Sequence, residues 1–270
     1  MATVPDSSTP PSPRHSTSSS QIDEVEEKNM ISLGSIKTIA ELYKITPSVI
    51  RRAEVARYKP SRAVERVSLF QGDITKLKID AIVNAANRSL LGGGGVDGAI
   101  HNAAGPKLLD ECRTLNGCET GKSKITKGYD LPARHIIHTV GPIYSEKDKD
   151  EKAEQLASCY ETCLEVAIEN EVRHVAFCSI STGIYSYPIV AATRIALETA
   201  RDVLDSEKGS KIERIIFVVW SDKDKNVYQT LIPEYFPPYE EQEVQEEAES
   251  VVVETSTQAA PAEKEAGDKE

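Results

Sequence analysis

The stretch from Gly72 to His101, GDITKLKIDAIVNAANRSLLGGGGVDGAIH, sets a short apolar run, two carboxamides, four consecutive glycines and an acid side by side. Adjacent glycines pack nothing and cost backbone entropy on folding. A folded domain keeps them where another molecule must approach the main chain closely. N–H groups stripped of side chains, followed by a helix start, suit a phosphate. The segment therefore reads as a binding site carried between a strand and a helix.

Working outward, the apolar pattern predicts strands at 67–70, 81–83, 124–129, 135–140, 174–178 and 214–220. Helices are expected at 96–103, 106–113, 151–169, 189–204 and 225–235. The helix at 151–169 is the clearest, because Ala153, Leu156, Ala157, Tyr160, Cys163, Leu164, Ala167 and Ile168 recur at helical spacing. Within 214–220 the run Ile215–Trp220 is continuously apolar, as expected of a strand buried on both faces. Thr46-Pro47 reads as a cap and first turn, which opens a helix over 46–57 within a helical extension at 31–61. Strands separated by helices argue for one α/β domain with helices on both sides of a largely parallel sheet. In such sheets ligands sit beyond the carboxyl ends of strands. The loops 84–98 and 179–188 both follow strands in that way.

Charge and composition bound the rest. Residues 240–270 hold eleven acids and two lysines, a net −9, so only −2 of the total −11 belongs to everything else. The acidity is a property of the tail and not of the site. Residues 1–30, rich in Ser and Pro, and the acidic segment 238–270 read as disordered tails, since neither can bury enough apolar surface to offset chain entropy. The globular domain is expected at 62–237. Cys112, Cys118, Cys159, Cys163 and Cys178 form no CxxC pair, and there is no secretory signal, so an intracellular protein with reduced thiols is expected, in cytoplasm or nucleus. Arg14 is the one strong base in the first twenty residues, which argues against mitochondrial targeting. No apolar run approaches the roughly 18 residues of a membrane span.

Other chemistries fare poorly. Gly93, Gly95 and Gly98 match G-x-G-x-x-G, but Asn84–Gly92 separates them from the strand, where a dinucleotide fold would start its turn at once. His135 and His138 stand three apart on a strand and so point to opposite faces, and there is no HExxH; no metal is expected. No basic, aromatic-studded stripe marks a nucleic-acid surface; Arg51-Arg52 and Arg57-Tyr58-Lys59 read as a solvated face of the extension.

Five motifs in collinear order carry a family resemblance: GDIT at 72–75, AIVNAAN at 81–87, LLGGGGVDGAIH at 90–101, TGKSKITKGYDLPARHIIHTVGP at 120–142 and ISTGIYSYP at 180–188. Over about 62–237 the chain resembles a macrodomain, and more narrowly the MacroD-type ADP-ribosyl hydrolases. The resemblance implies a three-layer α/β/α fold with a mixed, largely parallel sheet and an ADP-ribose cleft at its crest. It implies that Asp73 accepts from the adenine amine and that the Ile74 backbone helps read the ring. Asn84 and Asn87 would face the distal ribose; Gly93, Gly94, Gly95 and Val96 would wrap that ribose and the diphosphate. Ser181, Thr182, Gly183, Ile184 and Tyr185 would form the opposite phosphate loop, and Trp220 a wall beside the adenine. Asn87 and Asp97 would be catalytic, Asp97 either activating the water that attacks the ribose linkage or only orienting one that the substrate's own phosphate activates, with His101 one helical turn behind it as a supporting partner. Taken singly, Asp97 is also a good first-turn helix residue and His101 an ordinary core histidine.

The implied activity is hydrolysis of mono-ADP-ribose esters on acidic side chains of proteins, and deacetylation of O-acetyl-ADP-ribose, by a monomer that needs no cofactor. The same cleft would also serve a non-catalytic ADP-ribose reader or an ADP-ribose-1″-phosphate phosphatase. The Asn87/Asp97 pair, which a reader does not need, favours the hydrolase. Two departures bear on affinity and substrate choice. Ser186 stands where the family usually carries Gly, and would be strained if that backbone needs a positive φ. Cys178-Ser179 replaces the Pro-Cys of close animal relatives.

Overall fold

The computed structural model describes residues 30–45 and 56–239. The expected tails and most of the helix at 46–57 lie outside the described residues. The strands are β1 (Ile31–Ser32), β2 (Val67–Gln71), β3 (Leu77–Lys78), β4 (Ala81–Ala86), β5 (Ser123–Lys127), β6 (His135–Val140), β7 (His174–Phe177) and β8 (Arg214–Val219). The helices are α1 (Ile39–Ile45), α2 (Gly95–Ala104), α3 (Pro106–Thr114), α4 (Lys149–Glu169), α5 (Ile189–Asp205) and α6 (Asp222–Tyr235).

A six-stranded sheet runs β2-β8-β7-β4-β6-β5, parallel throughout except for β5, which lies antiparallel on β6 at one edge. The inner strands read as near-continuous apolar runs because both faces are covered. On one face Tyr160 of α4, Phe177, Phe217 and Tyr228 of α6 form a chain of ring contacts. On the other, α2 packs on β4 and α3 on β5, with α1 against β2. This is the three-layer α/β/α sandwich, with a mixed and largely parallel sheet.

Residues 31–45 join the same core. Ile36 and Ile39 are buried, β1 pairs with β3, and Thr38 bridges to Ser68. Arg57 and Lys59 are exposed, as expected of a solvated face, but Arg57 and Tyr58 also have partners. Arg57 pairs with Glu234 at 3.3 Å, and the Tyr58 hydroxyl donates to Asp202 at 2.6 Å, so this segment is fastened across α5 and α6. Helix α6 starts earlier than its apolar pattern indicates, because the Ser221 hydroxyl accepts from the Asp224 N–H and caps it.

At the amino end of the strands, away from the cleft, Asp80 ties three segments together. It accepts from the backbone of Arg173 and His174 and pairs with the Arg134 guanidinium at 3.0 Å and the His174 ring at 3.0 Å. At the carboxyl end, the loops after β2, β4, β7 and β8 rise together, and the cleft lies among them.

Candidate active site

The cleft has a volume of about 650 Å³. Asp73, Ile74, Asn87, Gly93, Gly94, Gly95, Val96, Asp97, Ser181, Thr182, Gly183, Ile184, Tyr185 and Trp220 all line it. These residues come from four separate loops, so the fold brings together what the sequence holds apart. Cys178 and Ser179 line it too, as their departure from the family pattern suggested, and Gly141 and Asp224, which were not expected, join them. Gly141 could have been found: a Cβ there would sit 2.1 Å from the Ser181 hydroxyl, so the GP turn after β6 makes room for the phosphate loop.

Asn84 is a correction. It does not line the cleft; it is fully buried behind it. Strand β4 runs on to Ala86, paired with Val140, so Asn84 is a mid-strand residue facing the α2 layer. Its amide donates to Asp97 Oδ1 at 2.7 Å and lies 3.1 Å from His138 Nδ1. His101 is likewise off the cleft, one turn along α2, with Nε2 3.5 Å from Asp97 Oδ1.

Asn87 stands just past the end of β4 and does two jobs. Its Nδ2 donates to the Gly92 carbonyl at 2.8 Å, and its Oδ1 accepts from the Ser89 N–H and hydroxyl at 2.9 and 2.6 Å. The side chain thus pins the glycine loop whose wall it forms. Leu90, fully buried with φ of +60°, plugs the base of that loop into the core. Gly93 lies where the two polar groups converge: a Cβ there would meet Asp97 Oδ2 at 3.0 Å and Asn87 Nδ2 at 3.2 Å. Gly98 must be bare because a Cβ would stand 2.6 Å from the Gly93 carbonyl.

Helix α2 begins at Gly95 with no side-chain cap, so its first-turn N–H groups open towards the cleft. On the facing loop, no acceptor among the described residues takes the N–H groups of Gly183, Ile184 and Tyr185. That loop is held by Ser186 N to Gly183 O and Tyr187 N to Ser181 O, both 2.9 Å. Ser181 and Ser186 have φ of +64° and +54°, so the Ser in place of Gly does occupy the left-handed region. Two sets of free amides therefore face each other, an arrangement that binds anionic oxygens. Asp73 caps the turn at 74–76 through Oδ1, accepting from the Thr75 N–H at 2.9 Å and hydroxyl at 2.7 Å. Trp220 is 77% exposed, which removes it from the core and leaves its ring on the cleft rim.

Asp97 is buried, and its Oδ2 has no hydrogen-bond partner among the described residues. The carboxylate is gripped through Oδ1, while Oδ2 is unpaired and covered at Gly93. The thiol beside it is inert: burial pushes Cys178 up to about 12, so it stays protonated. Burial, with His101 next, pushes the His138 imidazole down to about 3, so that ring is neutral. His101, Cys112 and His138 have donor atoms within 4.8 Å of one another. Both nitrogens of His138 have polar neighbours: Nδ1 lies 3.1 Å from the Asn84 amide and Nε2 2.9 Å from Thr126 Oγ1.

An α/β/α sandwich with an acid and two amide-rich loops around a crest cleft defines a class of nucleotide-phosphate-binding domains. The chain belongs to the macrodomain family: the Macro domain model matches residues 83–196, inside the region of resemblance. It is 49% identical over 211 residues to the cattle protein named ADP-ribose glycohydrolase MACROD1, covering 78% of this chain and 64% of that one. It is 50% identical over 211 residues to human ADP-ribose glycohydrolase MACROD2, covering 78% of this chain and 49% of that one. The chain thus spans between about half and two thirds of the length of these relatives. Among solved structures it is similar to the Trypanosoma brucei macrodomain in complex with ADP-ribose, with a TM-score of 0.62 and 39% identity over 74% of this chain and 76% of that one. The macro domain of ganglioside induced differentiation associated protein 2 superposes with a TM-score of 0.69 at 35% identity, over 77% of this chain and 98% of that one.

Proposed function

We propose that this chain is a hydrolase that removes single ADP-ribose units from acidic side chains of proteins and also deacetylates O-acetyl-ADP-ribose. The observation that carries the reading is the unpaired Oδ2 of Asp97, covered at Gly93 in the cleft wall, beside Asn87 and between two loops of unengaged N–H groups. The names of the cattle and human relatives and the ADP-ribose complex of the trypanosome macrodomain support it.

In this reading the amides at 93–97 and 183–185 hold the diphosphate. Asp73 and Ile74 read the adenine, Trp220 flanks it, and Asn87 orients the distal ribose. Asp97 Oδ2 takes a hydrogen bond from the attacking water and draws its proton as the ester breaks. The ester C–O bond breaks, the distal ribose is left with a hydroxyl, the target side chain (or acetate) leaves as a carboxylate, and the proton taken by Asp97 passes to solvent. The diphosphate loops bind substrate; the carboxylate supplies the interaction that only the transition state feels. The partners are ADP-ribose and mono-ADP-ribosylated proteins, and the five free, buried cysteines support an intracellular setting.

The test is a panel. A protein mono-ADP-ribosylated on glutamate, O-acetyl-ADP-ribose and ADP-ribose-1″-phosphate are each incubated with the purified chain, and product is quantified by mass spectrometry. Turnover of both esters with little of the phosphate is expected. Tight ADP-ribose binding without turnover of either ester would make the chain a reader.

A further inference from the structure

Behind Asp97 lies a line of buried polar groups that the hydrolytic step itself does not use. Asn84 on β4 and His138 on β6 are direct cross-strand partners, and both are fully buried. Thr126 on β5 stands on the same face of the sheet, also buried. Its hydroxyl donates to the Lys127 carbonyl at 3.2 Å, so the oxygen accepts from His138 Nε2–H at 2.9 Å. With Nε2 protonated, Nδ1 of the neutral ring is an acceptor. It faces Asn84 Nδ2 at 3.1 Å, and the second hydrogen of that same amide reaches Asp97 Oδ1 at 2.7 Å. The hydrogens therefore point away from Asn84 in both directions, to the carboxylate on α2 and, through His138 and Thr126, to a backbone carbonyl on β5. The line also explains why Asn84 leaves its own carbonyl oxygen without a partner. Turning the amide over would satisfy neither neighbour, since the oxygen would face an ionised carboxylate and an imidazole lone pair.

We propose that His138 is a positioning residue for the hydrolytic reaction, acting through Asn84: as an acceptor it fixes the Asn84 amide with both hydrogens committed, which locks Asp97 Oδ1 as an ionised acceptor and leaves Oδ2 for the water. The inference rests on the reading of Asp97 given above. It predicts that the fixed proton order matters more than the bulk of the ring. The titratable groups that face Asp97 are His101 on its own helix, Cys112 on α3, Cys178 beyond β7 and, through Asn84, His138 on β6.

Two substitutions separate the roles. In His138→Asn the amide oxygen falls near the position of Nδ1 and can still accept from Asn84. In His138→Gln the amide reaches towards Nε2 and Thr126, and the acceptor for Asn84 is lost. For His138→Gln, kcat on O-acetyl-ADP-ribose should fall about 10- to 100-fold with KM little changed, since misplacing a reacting group costs turnover more than binding. The acid limb of its kcat–pH profile should move to higher pH, because a freed Asn84 can present its oxygen to Asp97 and favour the protonated carboxyl. His138→Asn should keep kcat within about threefold of wild type and keep the profile. Equal losses in both variants, or none in His138→Gln, would overturn the proposal.

A measurement on the unaltered protein guards against variants that misfold. Nitrogen-15 NMR of the imidazoles should find His138 as the neutral Nε2–H tautomer; a ring protonated on Nδ1 would overturn the proposal. Asp97→Ala, run alongside, separates the two readings. If it retains turnover, the role given to Asp97 fails; if it is inactive while His138→Gln turns over normally, only the role given to His138 fails.

Discussion

Replacing Ser186 with Gly should stabilise the protein, and the size of the gain follows from the backbone. Ser186 has φ of +54°, in the left-handed region, where a Cβ crowds the following carbonyl at a cost of about 1–2 kcal/mol. Glycine removes that cost but gives the unfolded chain more freedom, which returns about 0.5–1 kcal/mol. The net is a gain of about 0.5–1 kcal/mol, or a rise in Tm of about 1–4 °C for a domain of this size. Little is lost with the side chain, whose hydroxyl is exposed and makes one long 3.5 Å bond to the Ile184 carbonyl. Ser186→Ala is the control, because it removes the hydroxyl and keeps the crowding; it should melt as wild type does. The loop already holds the geometry that presents its amides, so ADP-ribose affinity should change by less than about twofold. Differential scanning fluorimetry and titration calorimetry on the three proteins measure both quantities. A Ser186→Gly protein that melts no higher than Ser186→Ala would refute the claim that the left-handed backbone is costly there.

Other predictions follow from the same inventory. Trp220→Ala should weaken ADP-ribose binding about 10-fold, in the range measured for base stacking on aromatic side chains, and leave Tm unchanged because the ring is exposed; equal affinities by calorimetry would remove Trp220 from the adenine. The His138 ring titrates near 3 in the fold against about 6.5 when unfolded, so only the unfolded chain takes up that proton in between, and stability falls with pH through this window. Urea unfolding should find a loss of about 2 kcal/mol between pH 6.5 and 4.5 that His138→Asn largely abolishes; parallel profiles would contradict it. For Asp80, burial opposes ionisation, but the Arg173 and His174 N–H groups and the charges of His174 and Arg134 outweigh it and hold the carboxyl below its usual range. Asp80→Asn should therefore cost about 1–3 kcal/mol near neutral pH, a difference that fades as acid protonates Asp80 in the wild type; a pH-independent difference would contradict the assignment.

Much of this was legible in the sequence because the signals were local. The apolar run of β8, the helical spacing of α4 and the bare glycines before α2 each report on their own neighbourhood. What could not be read depended on partners. Strand β4 looked finished at Val83, since Asn-Ala-Ala carries no strand preference, yet pairing with β6 carries it on to Ala86. That extension, and nothing in Asn84 itself, turns the residue from the cleft to the buried face. Asn87 lies beyond the last pair and keeps its place at the cleft. The two-residue strand β1 has no period to read, and its partner β3 is equally short. The role of His138 was invisible for the same reason: the spacing gave its face of the strand, but only the register sets it beside Asn84.

The central claim is that the carboxylate of Asp97 acts on the water and not on the binding of ADP-ribose. Turnover of a glutamate-linked mono-ADP-ribosylated protein and the Kd for ADP-ribose, measured on wild type and Asp97→Ala, test it directly. The account predicts a fall in turnover of at least about 100-fold, typical of losing a positioned acid–base group, with Kd within about fivefold of wild type. Turnover that survives the substitution would contradict it, as would a loss of turnover accounted for wholly by lost binding.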